Sequence, residues 1–304
     1  MQTYFLSRIT NAILLLFGVV LIVFFLVRLT GDPTTLLVAR DTANAEQIAQ
    51  MRAALGLDRP LPVQFFNYLT NVAQGDLGYS LRFRQQANGV IFNAVPITLA
   101  LSLLALFIAV VVAIPLGVLG GYSPNTWIDL VARLFGLIGQ TVPSFWLALI
   151  LILVFAINLQ WLPSFGADSA RHFILPALAL SVGGMGQLVR LTRSAVLEIR
   201  HTDYIRTARG KGLSQFNIAA RHIFRNASLA LISVIGVQFT YAMAGSIYIE
   251  SIFAIPGLGW LLNEAIVNRD FVLVQSVTLV IGLFVVLINL LTDILYGIVD
   301  PRIR

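Results

Sequence analysis

The chain has 304 residues, of which 58% are hydrophobic and 11% are charged, and it carries a formal net charge of +6. Soluble globular domains contain about 25% charged residues, so this composition excludes a soluble fold and indicates a polytopic membrane protein. The chain has no cysteine and only three histidines, which excludes a disulfide framework and leaves little for a metal site. The positive charges flank apolar stretches, so orientation in a bilayer explains them better than nucleic-acid binding.

Six stretches are apolar over about 20 residues, the length at which a helix crosses a bilayer. We predict spans at Ile9–Val27, Ile97–Gly121, Leu134–Ile157, Phe173–Val189, Leu229–Ile249 and Phe271–Val299. The predicted fold class is therefore an all-α polytopic membrane protein with about six transmembrane helices. The first span is predicted to be an uncleaved anchor, because its apolar core is too long for a signal peptide and no small-residue cleavage site follows it.

The fourth predicted span is short and rich in glycine. Gly183, Gly184 and Gly186 lie within it, which predicts a close helix contact or a kink rather than a plain lipid-facing helix.

Residues 31–96 are too numerous for a simple connection and carry helix signals of their own. Ile48, Met51 and Leu55 share one helical face, and a second amphipathic stretch follows at Val63–Val72. We predict an extracytoplasmic helical segment that packs on the outer face or docks an external partner. The predicted domains are a membrane anchor at 1–30, this outer segment at 31–96, a core domain at 97–299 with a cytoplasmic loop at 190–228, and a cytoplasmic tail at 300–304.

Charge counts predict the orientation in the membrane. One side of the six spans carries 12 basic and 4 acidic residues, and the opposite side carries 8 basic and 9 acidic residues. Because basic residues next to a span are retained in the cytoplasm, the first side, with both termini, is predicted to be cytoplasmic. Asp293 is left inside the last span. Reaching the membrane interface or pairing with a nearby arginine explains it better than proton relay. An interhelical polar contact is a further alternative.

Residues 190–225 interrupt the apolar sequence and hold eight of the twenty basic residues. Asp203 is predicted to be the N-cap of a short helix over Tyr204–Lys211, and Gly212 its stop. Ser214 is predicted to cap a second helix. A short helix with a small apolar face and a charged surround suits a groove on another protein, while a basic loop solvated by water and lipid headgroups is the alternative.

On the short helix, Tyr204 and Ala208 lie one turn apart on one predicted face with Ile205 beside them. The charged surround consists of Arg206, Arg209 and Lys211.

Polar side chains in the third and fifth spans are candidates for the translocation pathway or for an outer gate. These candidates are Gln140, Thr141, Ser144, Gln238, Thr240, Ser246 and Glu250. Helix packing is the alternative for the residues within the spans. Glu250 stands just outside the fifth span, where its carboxylate could meet a cationic substrate or an arginine of a partner.

The stretch DYIRTARGKGLSQFNIAARHIFRNA at Asp203–Ala227 resembles the cytoplasmic coupling loop of ABC importer permease subunits. The similar branch handles dipeptides, oligopeptides, glutathione and nickel. Further similar stretches are GDP at Gly31–Pro33, LGLDRPLPVQF at Leu55–Phe65, GDLGYSL at Gly75–Leu81, VPSFWLALIL at Val142–Leu151, WLPSFGADSARHFILPALAL at Trp161–Leu180, IESIFAIPGLGWLL at Ile249–Leu262, RDFVLVQ at Arg269–Gln275 and DILYGIVDPRIR at Asp293–Arg304.

The resemblance implies a coupling helix that fits a cleft on a cytoplasmic ATPase. The residues carried over to it are Asp203, Tyr204, Arg206, Ala208, Arg209, Lys211 and Gly212. A residue larger than Ala208 would hold the helix out of that cleft, and Gly212 lets the chain reverse without a Cβ penalty. Gly210 stands where the family usually has alanine, which lowers helix propensity by about 1 kcal/mol.

The sequence itself contains no ATPase motif. A P-loop needs Lys followed by Ser or Thr, whereas the single lysine, Lys211, is followed by Gly212. We therefore expect a transport subunit that is not an enzyme and binds no cofactor or metal, with ATP and Mg used by separate subunits.

The resemblance implies a bacterial inner membrane complex with a second permease subunit, two ATPases and an extracytoplasmic solute-binding protein. Small peptides are the expected solute. Glutathione, nickel chelates or another small solute remain open within the same architecture. An ion-coupled secondary carrier and a membrane-embedded enzyme are the competing classes, although the spans contain neither a buried charge pair nor an evident nucleophile.

Overall fold

The computed structural model describes residues 2–30, 45–54, 56–214, 217–218 and 225–299. Its helices are α1 (Gln2–Thr30), α2 (Ala45–Ala54), α3 (Leu61–Ala73), α4 (Ala87–Tyr122), α5 (Trp127–Thr141), α6 (Ser144–Leu151), α7 (Ile174–Arg200), α8 (Asp203–Gly210), α9 (Arg225–Ile252), α10 (Leu258–Val267) and α11 (Phe271–Val299). A π-helical turn, Ile152–Asn158, continues α6, and a 3₁₀ turn, Ala170–Phe173, precedes α7. Strands β1 (Tyr79–Ser80) and β2 (Gln85–Gln86) form a small antiparallel hairpin.

The predicted all-α polytopic class is confirmed. Four helical segments in the described part of the chain are long and apolar enough to cross a bilayer, and they contain most of the first, second, fourth and sixth predicted spans. These segments are Leu6–Arg28, Ala87–Tyr122, Ala170–Arg200 and Phe271–Leu295. The fifth predicted span lies within α9, a continuous helix of 28 residues. At 1.5 Å per residue, α9 is about 42 Å long, which exceeds the hydrocarbon thickness of a bilayer.

The third predicted span is not one continuous helix. Helix α5 ends at Thr141, and α6 begins at Ser144 after a bend of 100°. Val142 and Pro143 have extended backbone angles, with ψ of 118° and 133°. Proline lacks an amide hydrogen and disfavours helical geometry in the residue before it, which explains the break inside an apolar sequence. The predicted span Leu134–Ile157 is therefore divided between two helices that pass the length and hydropathy test only together.

Helix α4 begins at Ala87, ten residues before the second predicted span, and it is 36 residues long. The last part of the predicted outer segment, from residue 87 onward, is thus the start of this helix. The two predicted helices of that segment are present as α2 and α3. Residues 31–44, Leu55 and the predicted tail at 300–304 lie outside the described residues.

The outer segment is fastened to the start of α11. The buried Asp270 carboxylate accepts hydrogen bonds from Ser80 Oγ at 2.6 Å and from the Arg82 amide at 2.9 Å. It also accepts one from the Leu273 amide at 3.1 Å, so Asp270 caps α11 and anchors the hairpin together. Ser276 Oγ donates to the Leu77 carbonyl at 2.6 Å.

At the opposite end of α11, Asp293 pairs with an arginine as predicted. Its carboxylate lies 3.3 Å from Arg8 Nη1, so the ion pair joins α11 to α1. Two charges near the membrane are less costly together than apart, which accounts for an acidic residue in this span.

Glycines set the close approach of α5 to α7. A Cβ added at Gly186 would lie 2.7 Å from the Gly136 carbonyl oxygen and 2.8 Å from the Gln140 amide nitrogen. A Cβ added at Gly183 would meet no atom within 4 Å. The predicted close contact in the fourth span is therefore confirmed at Gly186, whereas Gly183 faces open space.

Substitution by alanine should have opposite effects on stability at Gly186 and Gly183. Gly186→Ala forces α5 and α7 apart, and overpacking of this kind costs about 1–3 kcal/mol. Gly183→Ala adds helix propensity without a clash, so its stability should be equal to or above that of wild type. Thermal unfolding of the detergent-purified complex measures both. Equal melting temperatures for the two variants would contradict the close contact between α5 and α7 at Gly186.

Candidate functional sites

Helix α8 occupies the position of the predicted coupling helix but starts one residue earlier than expected. The Thr202 carbonyl accepts hydrogen bonds from the amides of Ile205 at 3.2 Å and Arg206 at 3.3 Å. Thr202, rather than Asp203, is therefore the N-cap. Asp203 lies in the first turn, where its charge complements the helix dipole, and its carboxylate is 3.4 Å from Arg206 Nη1.

The end of α8 agrees with the prediction. Gly212 has a φ of +74°, in the left-handed region where a side chain would be strained. The Leu213 amide donates to the Ala208 carbonyl at 3.3 Å, which closes the reversal. Ser214 Oγ then accepts from the Asn217 amide at 3.3 Å, as expected of a helix cap.

The two faces of α8 differ from the expected arrangement. Ile205 and Ala208 are buried against Val196 and Ile218 of the same chain, whereas Tyr204 is 43% exposed. The expectation that Tyr204 and Ala208 present one face to a partner is wrong, because the Ala208 methyl group points into this chain's own core. A larger side chain at Ala208 would disturb that core first.

The face of α8 left for a partner is polar. Its exposed residues are Asp203, Tyr204, Arg206, Thr207, Gly210 and Lys211. The Arg209 side chain lies outside what the structure describes.

The core beneath α8 extends along α7 to an ion pair that the sequence analysis did not identify. Asp129, at the start of α5, is fully buried, and its Oδ2 accepts from Arg193 Nη2 at 3.0 Å. Arg133 Nε lies 3.5 Å from the same carboxylate, and the Asn125 amide donates to it at 3.0 Å. Arg193 is one turn from Val196, which supports α8. Asp129 therefore ties α5 to the part of α7 that carries α8.

Removal of the Asp129 charge should be costly. Asp129→Asn leaves the partly exposed Arg193 without its counter-ion, and the loss of hydrogen bonds between charged groups costs about 1.5–3 kcal/mol. Asp203→Asn removes an equal charge from a pair whose carboxylate side chain is 96% exposed, which should cost about 0–1 kcal/mol. Thermal unfolding of the two variants in the purified complex checks this difference. A small change in melting temperature for both variants would contradict the role of Asp129 in joining α5 to α7.

A cavity of about 520 Å³ opens between α4, α5, α6, α7 and α9. Its polar lining residues include Gln140, Ser144, Ser181, Gln187, Arg190, Gln238 and Tyr241. Gln238 Nε2 donates to Gln187 Oε1 at 2.7 Å. The volume is within the range of about 300–1,000 Å³ that is typical of small-molecule sites.

Three of the predicted pathway residues, Gln140, Ser144 and Gln238, come together in this cavity. Three others do not line it, and their hydroxyl groups donate to carbonyl groups of their own helices. The acceptor is the Leu137 carbonyl for Thr141, the Gly236 carbonyl for Thr240 and the Met243 carbonyl for Ser246.

Glu250, the remaining candidate, is a structural residue. Its fully buried carboxylate accepts from Thr98 Oγ1 at 2.7 Å, from the Gly259 amide at 2.7 Å and from the Trp260 amide at 3.0 Å. Thr98 Oγ1 accepts in turn from the Leu258 amide at 2.7 Å. Glu250 thus satisfies the N-terminus of α10, where a negative charge is favourable. The expectation that it meets a substrate or a partner is wrong.

The contact between Glu250 and the start of α10 also requires glycine at position 257. A Cβ added at Gly257 would lie 2.5 Å from both the Glu250 carboxylate and Thr98 Oγ1. The stretch IPGLG therefore brings the start of α10 onto a buried carboxylate.

Substitution of Glu250 should destabilise the outer region of the protein. Glu250→Gln removes the negative charge from the N-terminus of α10 and the acceptor for the Thr98 hydroxyl, and an unsatisfied buried group costs about 1–3 kcal/mol. Glu198→Gln is the matched control, because Glu198 is exposed on α7. The melting temperature should fall for Glu250→Gln alone. Activity loss at Glu250→Gln with unchanged stability would instead support a direct role in transport.

Helices of membrane length, a polar cavity between them and a short basic helix that is partly exposed define a membrane transport protein. Known proteins specify the class further. The family model "Binding-protein-dependent transport system inner membrane component" matches residues 113–304, and the corresponding N-terminal model matches residues 1–102. The chain therefore belongs to the family of binding-protein-dependent inner membrane transport components.

Named relatives match along the whole chain. A peptide transport system permease protein of Brucella abortus is 42% identical, with 100% of this chain and 99% of the relative covered. The glutathione transport system permease protein GsiC of Salmonella choleraesuis is 38% identical with the same coverage. Among solved structures, the methionine ABC transporter MetNI in an inward-facing conformation matches with a TM-score of 0.59 and 19% identity, over 69% of this chain and 96% of that chain. This structural likeness concerns the fold alone.

Family membership confirms the predicted permease of the peptide and nickel type of ABC importer. The chain is a multi-pass inner membrane protein that works with ATPase subunits. It is a transport subunit and not an enzyme.

Proposed function

We propose that this chain is one half of a pathway that imports di- or oligopeptides across the bacterial inner membrane. The observation that carries this proposal is the 520 Å³ cavity lined by amide, hydroxyl and guanidinium groups, which match the hydrogen-bonding groups of a peptide. The full-length similarity to a peptide transport permease supports the same solute class.

The proposed assembly has three kinds of protein partner. Gln140 and Tyr241 line the cavity but are exposed in the single chain, so a second permease subunit would complete the pathway. An extracytoplasmic solute-binding protein delivers the solute to the outer face. Two cytoplasmic ATPases bind ATP and Mg, whereas this chain binds neither. Both termini and α8 lie on the cytoplasmic side, as the distribution of basic residues predicts.

In the proposed mechanism, α8 and α7 couple ATP hydrolysis by the ATPases to movement at the cavity. ATP-driven closure of the ATPases moves α8 through its exposed polar face, and the packing of Ile205 against Val196 passes that movement to α7. Because α7 also lines the cavity, the same movement changes access to the solute. The chemistry of this subunit is conformational, and alternating access requires no covalent step.

Glutathione is the second candidate solute, because a relative named as a glutathione permease matches the whole chain at 38% identity. Nickel chelates or another small solute fit the same architecture. An ion-coupled carrier is the remote alternative, and it would transport without ATPase subunits.

Uptake in proteoliposomes tests the proposal. The co-expressed complex, with ATP inside and binding protein outside, should take up a labelled dipeptide, and unlabelled glutathione should compete weakly. Gly212→Val strains a left-handed residue and should lower uptake at least tenfold while the ATPases still copurify. Gly210→Ala is the control, because an added Cβ there meets no atom within 4 Å.

Normal uptake by Gly212→Val would refute the coupling role of the α8 turn. Wild-type hydrolysis of ATP without dipeptide uptake would refute the peptide assignment and leave the architecture intact. Strong competition by glutathione would favour the second candidate.

A further inference from the structure

Arg190 is the charged residue of the cavity. It lies in the helical segment Ala170–Arg200, which is apolar enough to cross a membrane, and it lines the cavity with an exposed side chain. Arg193, one turn further on, pairs with Asp129. Among the described residues, by contrast, none forms an ion pair or hydrogen bond with the Arg190 guanidinium. Arg190 directly follows the predicted span Phe173–Val189, and its guanidinium, which no described residue binds, is left to bind an anionic group of a solute.

Helix α7 presents a continuous stripe to the cavity. Gly183, Gln187 and Arg190 all line it and are spaced by four and three positions, so they lie on one helical face. Gly183 provides open space. The bond from Gln238 Nε2 to Gln187 Oε1 uses neither Gln187 Nε2, which is a donor, nor Gln238 Oε1, which is an acceptor.

The lining has one sign of charge. The described residues that line the cavity include Arg190 and no Asp or Glu. A cleft with a single sign of charge and apolar walls raises the local concentration of ions of the opposite sign. A guanidinium also binds a carboxylate through two parallel hydrogen bonds. A positively charged amide-lined cavity therefore favours a solute with a carboxylate and amide groups and repels a free divalent cation.

We propose that Arg190, together with the Gln187 amide nitrogen, forms a solute site in this chain that binds the free carboxylate of a peptide in transit. The identification of the solute as a peptide rests on the proposed function. Glutathione shares the carboxylate chemistry, so the two are distinguished by experiment. Free Ni²⁺ is disfavoured at this site.

The absence of cysteine from the chain allows a direct measurement. Gly183→Cys places one thiol in the open part of the cavity, because the added Cβ meets no atom within 4 Å. The assembled complex with cysteine-free partners is then treated with a thiol reagent bearing a sulfonate or one bearing a trimethylammonium group. The ratio of their reaction rates reports the local charge, and at low salt it is sensitive to a charge two helical turns away.

We expect Arg190→Gln to lower the ratio of anionic to cationic labelling about tenfold, and Arg190→Lys to preserve it. Arg171→Gln is the matched control, since Arg171 is exposed in the turn before α7. In the complex that carries Gly183→Cys and keeps Arg190, alanyl-alanine should slow the labelling of the thiol. The C-terminal amide of alanyl-alanine should not slow it, and neither should NiCl₂. Protection by glutathione but not by alanyl-alanine would assign the site to glutathione and overturn the peptide part.

A labelling ratio that Arg190→Gln leaves unchanged overturns the proposal, and so does equal protection by the free acid and the amide. Copurification of the ATPases verifies that each variant assembles. Arg190→Met provides a second charge-free variant if Arg190→Gln does not assemble, and it should lower the ratio to the same extent. If wild type imports no dipeptide but the ratio and the carboxylate protection persist, peptide import fails and the site remains one for another carboxylate.

Discussion

The close contact between α5 and α7 is the constraint on which the rest of the structure depends. Gly136, Gly139 and Gly186 allow the two backbones to touch, and in a bilayer such packing takes the place of the hydrophobic driving force between helices. The cavity opens beside this contact, and the Asp129–Arg193 ion pair continues it toward α8. Helix α7 thus joins the cavity to α8, so a movement of α8 reaches the solute site through one packed element.

Polar side chains in this chain have two different roles: some are buried and cap helices, and others line the cavity. Glu250 and Asp270 are fully buried, and their oxygens accept hydrogen bonds at the starts of α10 and α11. Their carboxylates fix the outer region and cannot also meet a solute. The described residues that line the cavity instead include three glutamines and an arginine, and no Asp or Glu. The Glu250 and Asp270 carboxylates thus stabilise the fold, whereas donors that line the cavity are available to bind the solute.

The sequence was informative where the signal is local. Hydropathy located the spans, and the Gly212 stop was predicted from residue type alone. Four features required the folded chain. The break at Pro143 lies inside a continuous apolar run, which a hydropathy window cannot divide. Asp129 and Arg193 are 64 positions apart, and the contact that buries the Ala208 methyl group is also non-local. Glu250 appears as a gate in sequence because its partner Thr98 lies on another helix.

The central claim is that α7 carries ATP-driven movement from α8 to the cavity. The most direct test is the labelling rate of a Gly183→Cys thiol by an uncharged reagent in the assembled complex, with and without ATP and vanadate. We expect trapping to change the rate at least fivefold, and Asp129→Asn to abolish the change while ATP hydrolysis continues. A rate that is the same in the trapped and resting complexes, or a change that survives Asp129→Asn, would contradict the account.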